Sequence, residues 1–374
     1  MQKYIHQLPD WPNFHWRAEI LADELAAVTF KQGKLLGRME TLGFEVRSEA
    51  FLQTLTQDVV QSSEIEGEIL DTQQVRSSIA RRLGIAIEDS VVDTRSVDGI
   101  VDVVLDATQN YDKPLTKERL FAWHAALFPT TYSGLQIIRV GKWRDDKNGP
   151  MQVVSGPMGR EKVHFEAPEA TRVDQEMTAF LEWFNKKDDT SQVIRAGIAH
   201  LWFVTIHPFE DGNGRIARAL TDMLLARSEQ SAQRFYSMST QLRKERNSYY
   251  INLGRAQKGT LDITEQLHYF LETLNKVFAA VDSLLEVVLR KARFWQNCTA
   301  FPINDRQRKV LNALLNGFEG KLNTSKWAKI AKCSQDTAGR DIAGLVDYGI
   351  LAKDPGGGRS TSYSIEPVFF EERQ

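Results

Sequence analysis

Apolar residues recur along most of this chain at intervals of three and four, which is the spacing of amphipathic helices. The first such stretch predicts one helix over about residues 17–39. In the next stretch Ser48 is a candidate N-cap, and helical steps along the apolar face lead to Ser62 and then to Glu66. Another long helix is predicted over about residues 262–296. The dominant pattern is therefore helical.

A turn-rich region interrupts the helical pattern in the middle of the chain. Residues 141–167 are punctuated by Gly and Pro and hold short β-favouring runs at Gln152–Ser155 and Lys162–Phe165. We expect a hairpin there. Two strongly periodic helices follow, with apolar stripes over residues 198–206 and 216–224, and they enclose a short polar segment.

The C-terminal part has a pattern of its own. Helices are predicted near residues 304–316, 324–331 and 335–348, and an extended stretch follows that is interrupted by Gly356–Gly358. Three helices followed by a two-stranded wing are the outline of a winged helix. We therefore predict an N-terminal helical segment over residues 1–49, a core over residues 50–299 and a winged-helix domain over residues 300–374.

The composition is that of an ordinary globular protein. At about 150 residues per domain, 374 residues predict two or three domains. The net charge of −2 excludes a chain that is strongly basic throughout, as many nucleic-acid binders are. Cys298 and Cys333 are too few for a disulfide framework or a cysteine-based zinc site. Because no signal peptide or membrane-spanning apolar run is evident, we expect a soluble, cytoplasmic protein without a membrane partner.

The polar segment between the two periodic helices, HPFEDGNGRIAR, combines several chemically useful groups. His207 stands at the end of the first helix and is a candidate general base near neutral pH. Gly212, Asn213 and Gly214 open the next helix, where unpaired backbone N–H groups and the helix dipole favour an anion.

Charged side chains complete this segment. Arg215 and Arg218 are three residues apart, so they share a helix face and can grip the same polyphosphate. Asp211 is an oxygen ligand suited to Mg²⁺. Each piece alone is more typical of an ordinary helix connection, and the segment is not a Walker loop. The combination at this spacing favours phosphate chemistry.

The segment resembles the signature of the Fic family, His-x-Phe-x-(Asp/Glu)-Gly-Asn-Gly-Arg-x-x-Arg, at every fixed position. The resemblance covers about residues 50–280. It implies an all-α fold with a helical Fic core and a small β-hairpin flap. It also implies a protein adenylyltransferase, which moves AMP from Mg-ATP to a Ser, Thr or Tyr hydroxyl of a target protein, or of itself, and releases pyrophosphate.

The resemblance implies a role for each residue of the motif. His207 would deprotonate the target hydroxyl, Asp211 would hold Mg²⁺ on the phosphates, and Phe209 would anchor the loop in the core. The implied phosphate ligands are Gly212, Asn213 and Gly214 at the α- and β-phosphates, and Arg215 and Arg218 at the β/γ end.

A second segment resembles the inhibitory pattern of the family, (Ser/Thr)-x-x-x-Glu-(Gly/Asn), at Ser62, Glu66 and Gly67. Its position before the active motif is similar to the subclass with an N-terminal inhibitory helix. The resemblance implies that Glu66 pairs with Arg218 and occupies the γ-phosphate position. Without that context, Glu66 is simply an exposed glutamate at a helix end.

The resemblance also implies two binding regions. The flap, about Met151 to His164, would lay the target backbone alongside as an added strand. Tyr249, Tyr250 and Gln257 lie where the family forms its adenine and ribose pocket, although a tyrosine pair on a helix is more often part of a core.

Two histidines and the C-terminal domain carry less specific patterns. His124 and His200 fall on apolar faces and are expected to be core residues. For residues 302–374 the predicted recognition helix carries Arg340 against three aspartates. That balance favours protein docking or dimerisation over DNA binding, with Arg359 as a further candidate DNA contact.

Two other functions remain open at this point. One is the reverse reaction, in which the same site removes AMP from a modified target. The other is a DNA-binding regulator that senses a nucleotide through a Fic core. A homodimer is also compatible with the sequence.

Overall fold

A computed structural model describes residues 4–86, 95–147, 149–155, 162–315, 320–355 and 361–371. These residues are mostly helical, which confirms the all-α fold class with small hairpins. The chain forms two compact units, Met1–Ala280 and Val281–Gln374. The three-part division predicted from the sequence stays a prediction.

The first unit contains most of the helices. They are α1 (Ala18–Glu40), α2 (Phe44–Ile65), α3 (Thr72–Leu83), α4 (Arg95–Gln109), α5 (Lys117–Leu127), α6 (Ala170–Asn185), α7 (Gln192–Ile206), α8 (Asn213–Glu229), α9 (Met238–Lys244) and α10 (Arg246–Gln257). The long helix α11 runs from Thr264 to Asn297, as predicted. Among the described residues, no helix has both the length and the apolar character that crossing a membrane requires.

Helix α7 is the central helix of the first unit. Every residue from Val193 to Ile206 is buried, which is typical of a helix surrounded by others. Gly197 permits this packing, because a Cβ there would lie 2.9 Å from a methyl carbon of Leu267 on α11. The N-terminal segment covers another side of α7, where Phe14 packs edge-on against Trp202.

Helix α2 begins earlier than the sequence predicted. Its N-cap is Gly43, so the prediction of Ser48 as N-cap was wrong. The extended backbone of Gly43 starts the helix without a capping side chain, and the N–H of Arg47 already donates to the Gly43 carbonyl. Ser48 therefore lies one turn inside the helix, and Ser62 stays on the last turn of α2.

Two antiparallel hairpins interrupt the helices of this unit. The first pairs β1 (Tyr132–Ser133) with β2 (Gln136–Ile137). The second pairs β3 (Gln152–Ser155) with β4 (Lys162–Glu166), which confirms the predicted strands of the flap. Residues 156–161 of the flap lie outside the described residues.

The second unit follows the predicted order of elements. It contains α12 (Asp305–Leu315), α13 (Thr324–Ala331), α14 (Gln335–Asp347), and the antiparallel strands β5 (Leu351–Lys353) and β6 (Tyr363–Ile365). These elements share a hydrophobic core with fully buried Trp327. Gly356–Gly358 and Arg359 lie outside the described residues, and the assignment as a winged helix stays a prediction.

Candidate active site

His207 ends helix α7 in a left-handed conformation, with φ 52° and ψ 58°. Its Nδ1 lies 3.2 Å from the carbonyl oxygen of Val204. Because a carbonyl oxygen only accepts, this contact requires the proton to be on Nδ1. The other ring nitrogen, Nε2, therefore keeps its lone pair and is available to accept a proton.

The surroundings keep the imidazole of His207 neutral. Burial lowers its pKa to about 4, and the nearby positive charge of Arg144 also lowers it, while the hydrogen bond to Val204 opposes this change. The carboxylates of Glu66 and Asp211 oppose it as well. At neutral pH the ring is therefore uncharged and can act as a base.

Arg144 binds the backbone of His207 and of the residue that follows it. Its Nε donates to the carbonyl oxygen of His207 at 2.7 Å, and its own backbone N–H donates to the carbonyl of Pro208 at 2.9 Å. The side chain is only 1% exposed. Sequence reasoning missed this residue, because nothing in the turn-rich region distinguishes one arginine from another.

The start of helix α8 forms a cradle for an anion. The first intrahelical hydrogen bond runs from the N–H of Ile216 to the Gly212 carbonyl, so the N–H groups of residues 213–215 have no partner within the helix. Gly212 has φ 79°, and a Cβ there would lie 2.9 Å from the ring of Phe128. Both observations require glycine at this turn.

Asn213 stabilises the loop with its side chain. Its Oδ1 accepts from the N–H of Phe209 at 3.0 Å, and its Nδ2 donates to the carbonyl of the same residue at 2.8 Å. Phe209 is fully buried, as predicted. The side chain of Asn213 is therefore used within the loop, and what it offers the cradle is its backbone N–H.

Asp211 presents its carboxylate beside this cradle. One oxygen accepts from the N–H of Gly212 at 2.5 Å and the other accepts from the hydroxyl of Ser133 on β1. Within the described ranges there is no group of three His, Cys, Asp or Glu residues that could hold a metal ion. Mg²⁺ commonly uses one or two carboxylates together with substrate phosphates and water, and a single carboxylate next to an anion cradle fits that type of site.

His124 contacts the loop between α7 and α8. Its Nδ1 accepts from the N–H of Gly141 at 3.1 Å, so Nε2 carries the proton and donates to the carbonyl of Asp211 at 3.2 Å. The ring stacks on Phe209 with 4.1 Å between the centroids. His124 is a buried residue, as predicted, and burial lowers its pKa to about 4.

Arg218 lies on the first turns of α8 and is almost fully buried, at 4% exposure. It donates through Nε to the hydroxyl of Ser62 at 2.8 Å and through Nη2 to the Ser62 carbonyl at 2.9 Å. Nη2 also donates to the carboxylate of Glu66 at 2.8 Å, so the structure contains the expected ion pair. Its Nη1 is buried and has no hydrogen-bond partner among the described residues.

The carboxylate of Glu66 lies over the first turn of α8. A Cβ added to Gly214 would stand 2.1 Å from Glu66 Oε1, so this oxygen occupies the space directly above the cradle. Gly67 ends α2 with φ 86°, a conformation that favours glycine. The turn brings Glu68 to the neighbouring arginine, where its carboxylate accepts from Arg215 Nη1 at 2.7 Å. Sequence reasoning missed Glu68, which stands outside the inhibitory pattern.

The three residues expected around the adenine differ in their surroundings. Tyr249 is buried, and its hydroxyl lies 2.9 Å from Nε2 of His200, which is itself buried as predicted. The amide nitrogen of Gln257 lies 3.5 Å from the carbonyl of Val204 on α7. Tyr250 is 38% exposed. Of the three, Tyr250 is the one with a large accessible surface, and their contact with a nucleotide stays a prediction.

Two family models match this chain. Residues 114–225 match the Fic/DOC family, and residues 4–85 match a domain of unknown function (DUF4172). The first match includes the whole motif from His207 to Arg218. The chain therefore contains a Fic/DOC domain.

Curated relatives are similar to short parts of the chain. The protein adenylyltransferase fic-1 of Caenorhabditis briggsae is 39% identical over 56 residues, which are 14% of this chain and 11% of that protein. The protein adenylyltransferase Fic of Nematostella vectensis is 32% identical over 96 residues, which are 25% of this chain and 21% of that protein. The chain thus aligns with about a tenth to a fifth of the length of these relatives.

One solved structure resembles nearly the whole chain. It is a Fic family protein from Desulfovibrio desulfuricans G20, with a TM-score of 0.54 and 19% identity over 96% of this chain and 99% of that one. At this identity the likeness shows the fold alone.

Proposed function

We propose that this protein is an autoinhibited protein adenylyltransferase, which moves AMP from Mg-ATP to hydroxyl side chains of target proteins and of itself. The observation that carries the proposal is the arrangement around Gly214. A carboxylate oxygen already lies above the helix N-terminus, between the free N–H groups and a buried arginine. A site that accepts this anion has the charge and the donors to accept a phosphate.

His207 acts on the acceptor hydroxyl. The hydroxyl oxygen attacks the α-phosphorus of ATP, its proton passes to Nε2 of His207, and the bond to the β-phosphate breaks so that pyrophosphate leaves. Such a transfer depends mainly on position and on charge neutralisation. A positioned general base contributes about 10²–10⁴-fold.

The phosphates bind at the start of α8. The N–H groups of Asn213, Gly214 and Arg215 bind phosphate oxygens, and the guanidinium of Arg218 binds the outer phosphates through the donor Nη1 that has no partner among the described residues. Asp211 would hold Mg²⁺, which when bound neutralises phosphate charge. The target would pair with the flap strands, next to His207.

Glu66 blocks this arrangement. Its carboxylate stands above Gly214 and uses Nη2 of Arg218, so a phosphate and Glu66 compete for the same donors. ATP bound beside Glu66 would lack its outer contacts and would be held away from the productive position. Autoinhibition follows from this competition for one arginine.

The experiment compares ATP labelled at two positions. With Glu66→Gly protein, ATP labelled at the α-phosphate should leave covalent label on the protein, whereas ATP labelled at the γ-phosphate should leave none. His207→Ala in the same background should remove the labelling and keep ATP binding, because the imidazole acts on the hydroxyl and not on the nucleotide. Covalent label from the γ-phosphate would instead indicate a kinase, and reversible binding alone would indicate a nucleotide sensor.

A further inference from the structure

The backbone of His207 has a conformation that an L-residue rarely adopts. At φ 52° and ψ 58° it lies in the left-handed region, which is disfavoured for residues with a Cβ. Such a conformation persists where surrounding contacts over-determine it. The contacts that hold this backbone therefore decide where the imidazole points.

Arg144 supplies two of these contacts. Its Nε donates to the carbonyl of His207 at 2.7 Å, and its N–H donates to the carbonyl of Pro208 at 2.9 Å. These are the two carbonyl groups that follow the imidazole along the chain. An altered backbone at His207 would break at least the first of these bonds.

The rest of the guanidinium is also held in place. Nη1 donates to the carboxylate of Asp146 at 3.0 Å, and Nη2 donates to the carbonyl of Pro168. The second oxygen of Asp146 accepts from the N–H of Ala170 at 2.6 Å, at the start of α6. This start follows the end of the flap strand β4 after three residues. The planar guanidinium thus joins the backbone of His207 to the base of the flap. A lysine has a single flexible ammonium group and cannot hold these partners in the same fixed arrangement.

We propose that Arg144 is a positioning residue for adenylyl transfer: it holds the His207 backbone in the left-handed conformation and thereby directs Nε2 toward the acceptor hydroxyl. The proposal rests on the function proposed above. The hydrogen bonds of Arg144 go to His207, Pro208, Asp146 and Pro168 and not to the start of α8. Its effect should therefore fall on the transfer step and not on ATP binding.

Arg195 offers a matched control. Its side chain is also 1% exposed, and it also joins an aspartate, Asp188, to a backbone carbonyl, that of Trp183. It lies on the same helix as His207, but 12 residues away along α7, which is about 18 Å. Replacing it removes a similar buried cation without touching the histidine backbone.

The first measurement is the pKa of His207 by NMR, with labelled histidines, in wild type, Arg144→Met, Arg144→Lys and the two corresponding Arg195 variants. Arg144 is the cation beside His207, and Glu66 and Asp211 are the anions that act on it. In Arg144→Met the loss of the cation and of the fixed backbone should raise the pKa of His207 above about 4, while burial, the largest cause of the lowered pKa, still keeps it below the ordinary value of about 6.5. Arg144→Lys should give a smaller rise, and the Arg195 variants none.

The second measurement is self-labelling in the Glu66→Gly background. Arg144→Met should lower kcat by about 10²-fold at an unchanged KM for Mg-ATP. Arg144→Lys keeps the positive charge and is the smaller change, so its kcat should lie between those of Arg144→Met and the parent protein. Equal effects of the Arg144 and Arg195 variants on kcat and on the His207 pKa would overturn the proposal. If Glu66→Gly shows no labelling at all, the proposed function fails, while the His207 pKa in Arg144→Lys, which keeps the charge but loses the planar fork, still decides whether Arg144 positions this histidine.

Discussion

At the scale of single residues, His207 combines two properties that affect its reactivity in opposite ways. Burial lowers its pKa to about 4, which makes it a weaker base than a free imidazole. The same burial keeps the ring uncharged at neutral pH, and the contact with Val204 leaves the lone pair on Nε2. His207 is thus a weaker base than a free histidine, but its ring stays neutral and its orientation is fixed.

This balance predicts an unusual pH profile. The base works when neutral, so activity falls as pH drops through the pKa of His207. Because that pKa is lowered to about 4, labelling by Glu66→Gly protein should stay level between pH 8 and about pH 5, instead of halving near the ordinary histidine value of about 6.5. The variant lacks the Glu66 carboxylate, which raises the pKa of His207. The acid limb of its pH–rate profile should therefore lie at a still lower pH. Initial rates at constant ionic strength test this, and an acid limb near pH 6.5 would contradict it.

Glu68 forms a second acidic contact that the sequence pattern does not include. Its pair with Arg215 is 2.7 Å long and its side chain is 41% exposed, so solvent weakens the pair to about 0–1 kcal/mol. In the Glu66→Gly background we expect Glu68→Gln to raise the labelling rate by about two- to fivefold, since such a pair is worth at most that factor. Rates at low ATP concentration are the measurement. An unchanged rate would show that Arg215 is accessible to phosphate while Glu68 remains.

At the scale of elements, the end of α2 lies over the start of α8. The dipole and free N–H groups of α8 attract a negative group, and the last turn of α2 supplies one through Glu66. Ser62 on the same turn takes two further donors of Arg218. The two helix ends therefore stabilise each other only as long as no phosphate enters.

Glu66→Gly tests this relation between the helices. The variant removes the ion pair and leaves the hydrogen bonds from Arg218 to Ser62, and the loss of a hydrogen-bonded carboxylate should lower the free energy of unfolding of the ATP-free protein by about 1–3 kcal/mol. Mg-ATP should then raise the melting temperature more than in wild type, because a phosphate replaces the carboxylate, and self-labelling should be much faster.

Glu64→Gly is the control for the backbone effect of a glycine at the end of α2. Glu64 pairs with Arg243 on α9, which is 43% exposed. This variant should lose stability without gaining labelling. Equal labelling by wild type and Glu66→Gly would remove the inhibitory role of Glu66.

At the scale of the whole molecule, the chain joins the unit that contains the candidate active site to a second compact unit. The exposed positions of α14 include Arg340 but also Asp336 and Asp347. Arg306 is paired with Asp341 at 2.9 Å. The helix that would read DNA in a winged helix is therefore close to neutral.

This charge balance predicts weak DNA binding. The full chain should bind generic duplex DNA no more tightly than about 10⁻⁶–10⁻⁴ M at physiological salt, the range of non-specific binders. Fluorescence anisotropy over a series of salt concentrations measures both the affinity and the number of phosphate contacts. Sequence-selective binding at nanomolar concentrations would favour the regulator over the enzyme.

The order of elements and the chemistry of the loop between α7 and α8 could be predicted from the sequence. Periodicity predicted α7, α8, α11 and the three helices of the second unit, because helix spacing and caps depend on residues within about four positions of each other. The motif from His207 to Arg218 is equally local, so its base, cradle and arginines could be identified without a structure. The paired segment at Glu66 needed the resemblance to a family, since a glutamate at a helix end is common.

Only the tertiary structure decided how that loop is supported and closed. Arg144 reaches the carbonyl of His207 across 63 positions, Ser133 reaches Asp211 across 78, and Glu68 reaches Arg215 across 147. None of these partners has a pattern around it in the sequence, because each contact exists only once distant helices have packed. The same packing buries Tyr249 against His200. Local spacing thus determined which groups the site contains, whereas long-range packing determined their orientation, protonation and accessibility.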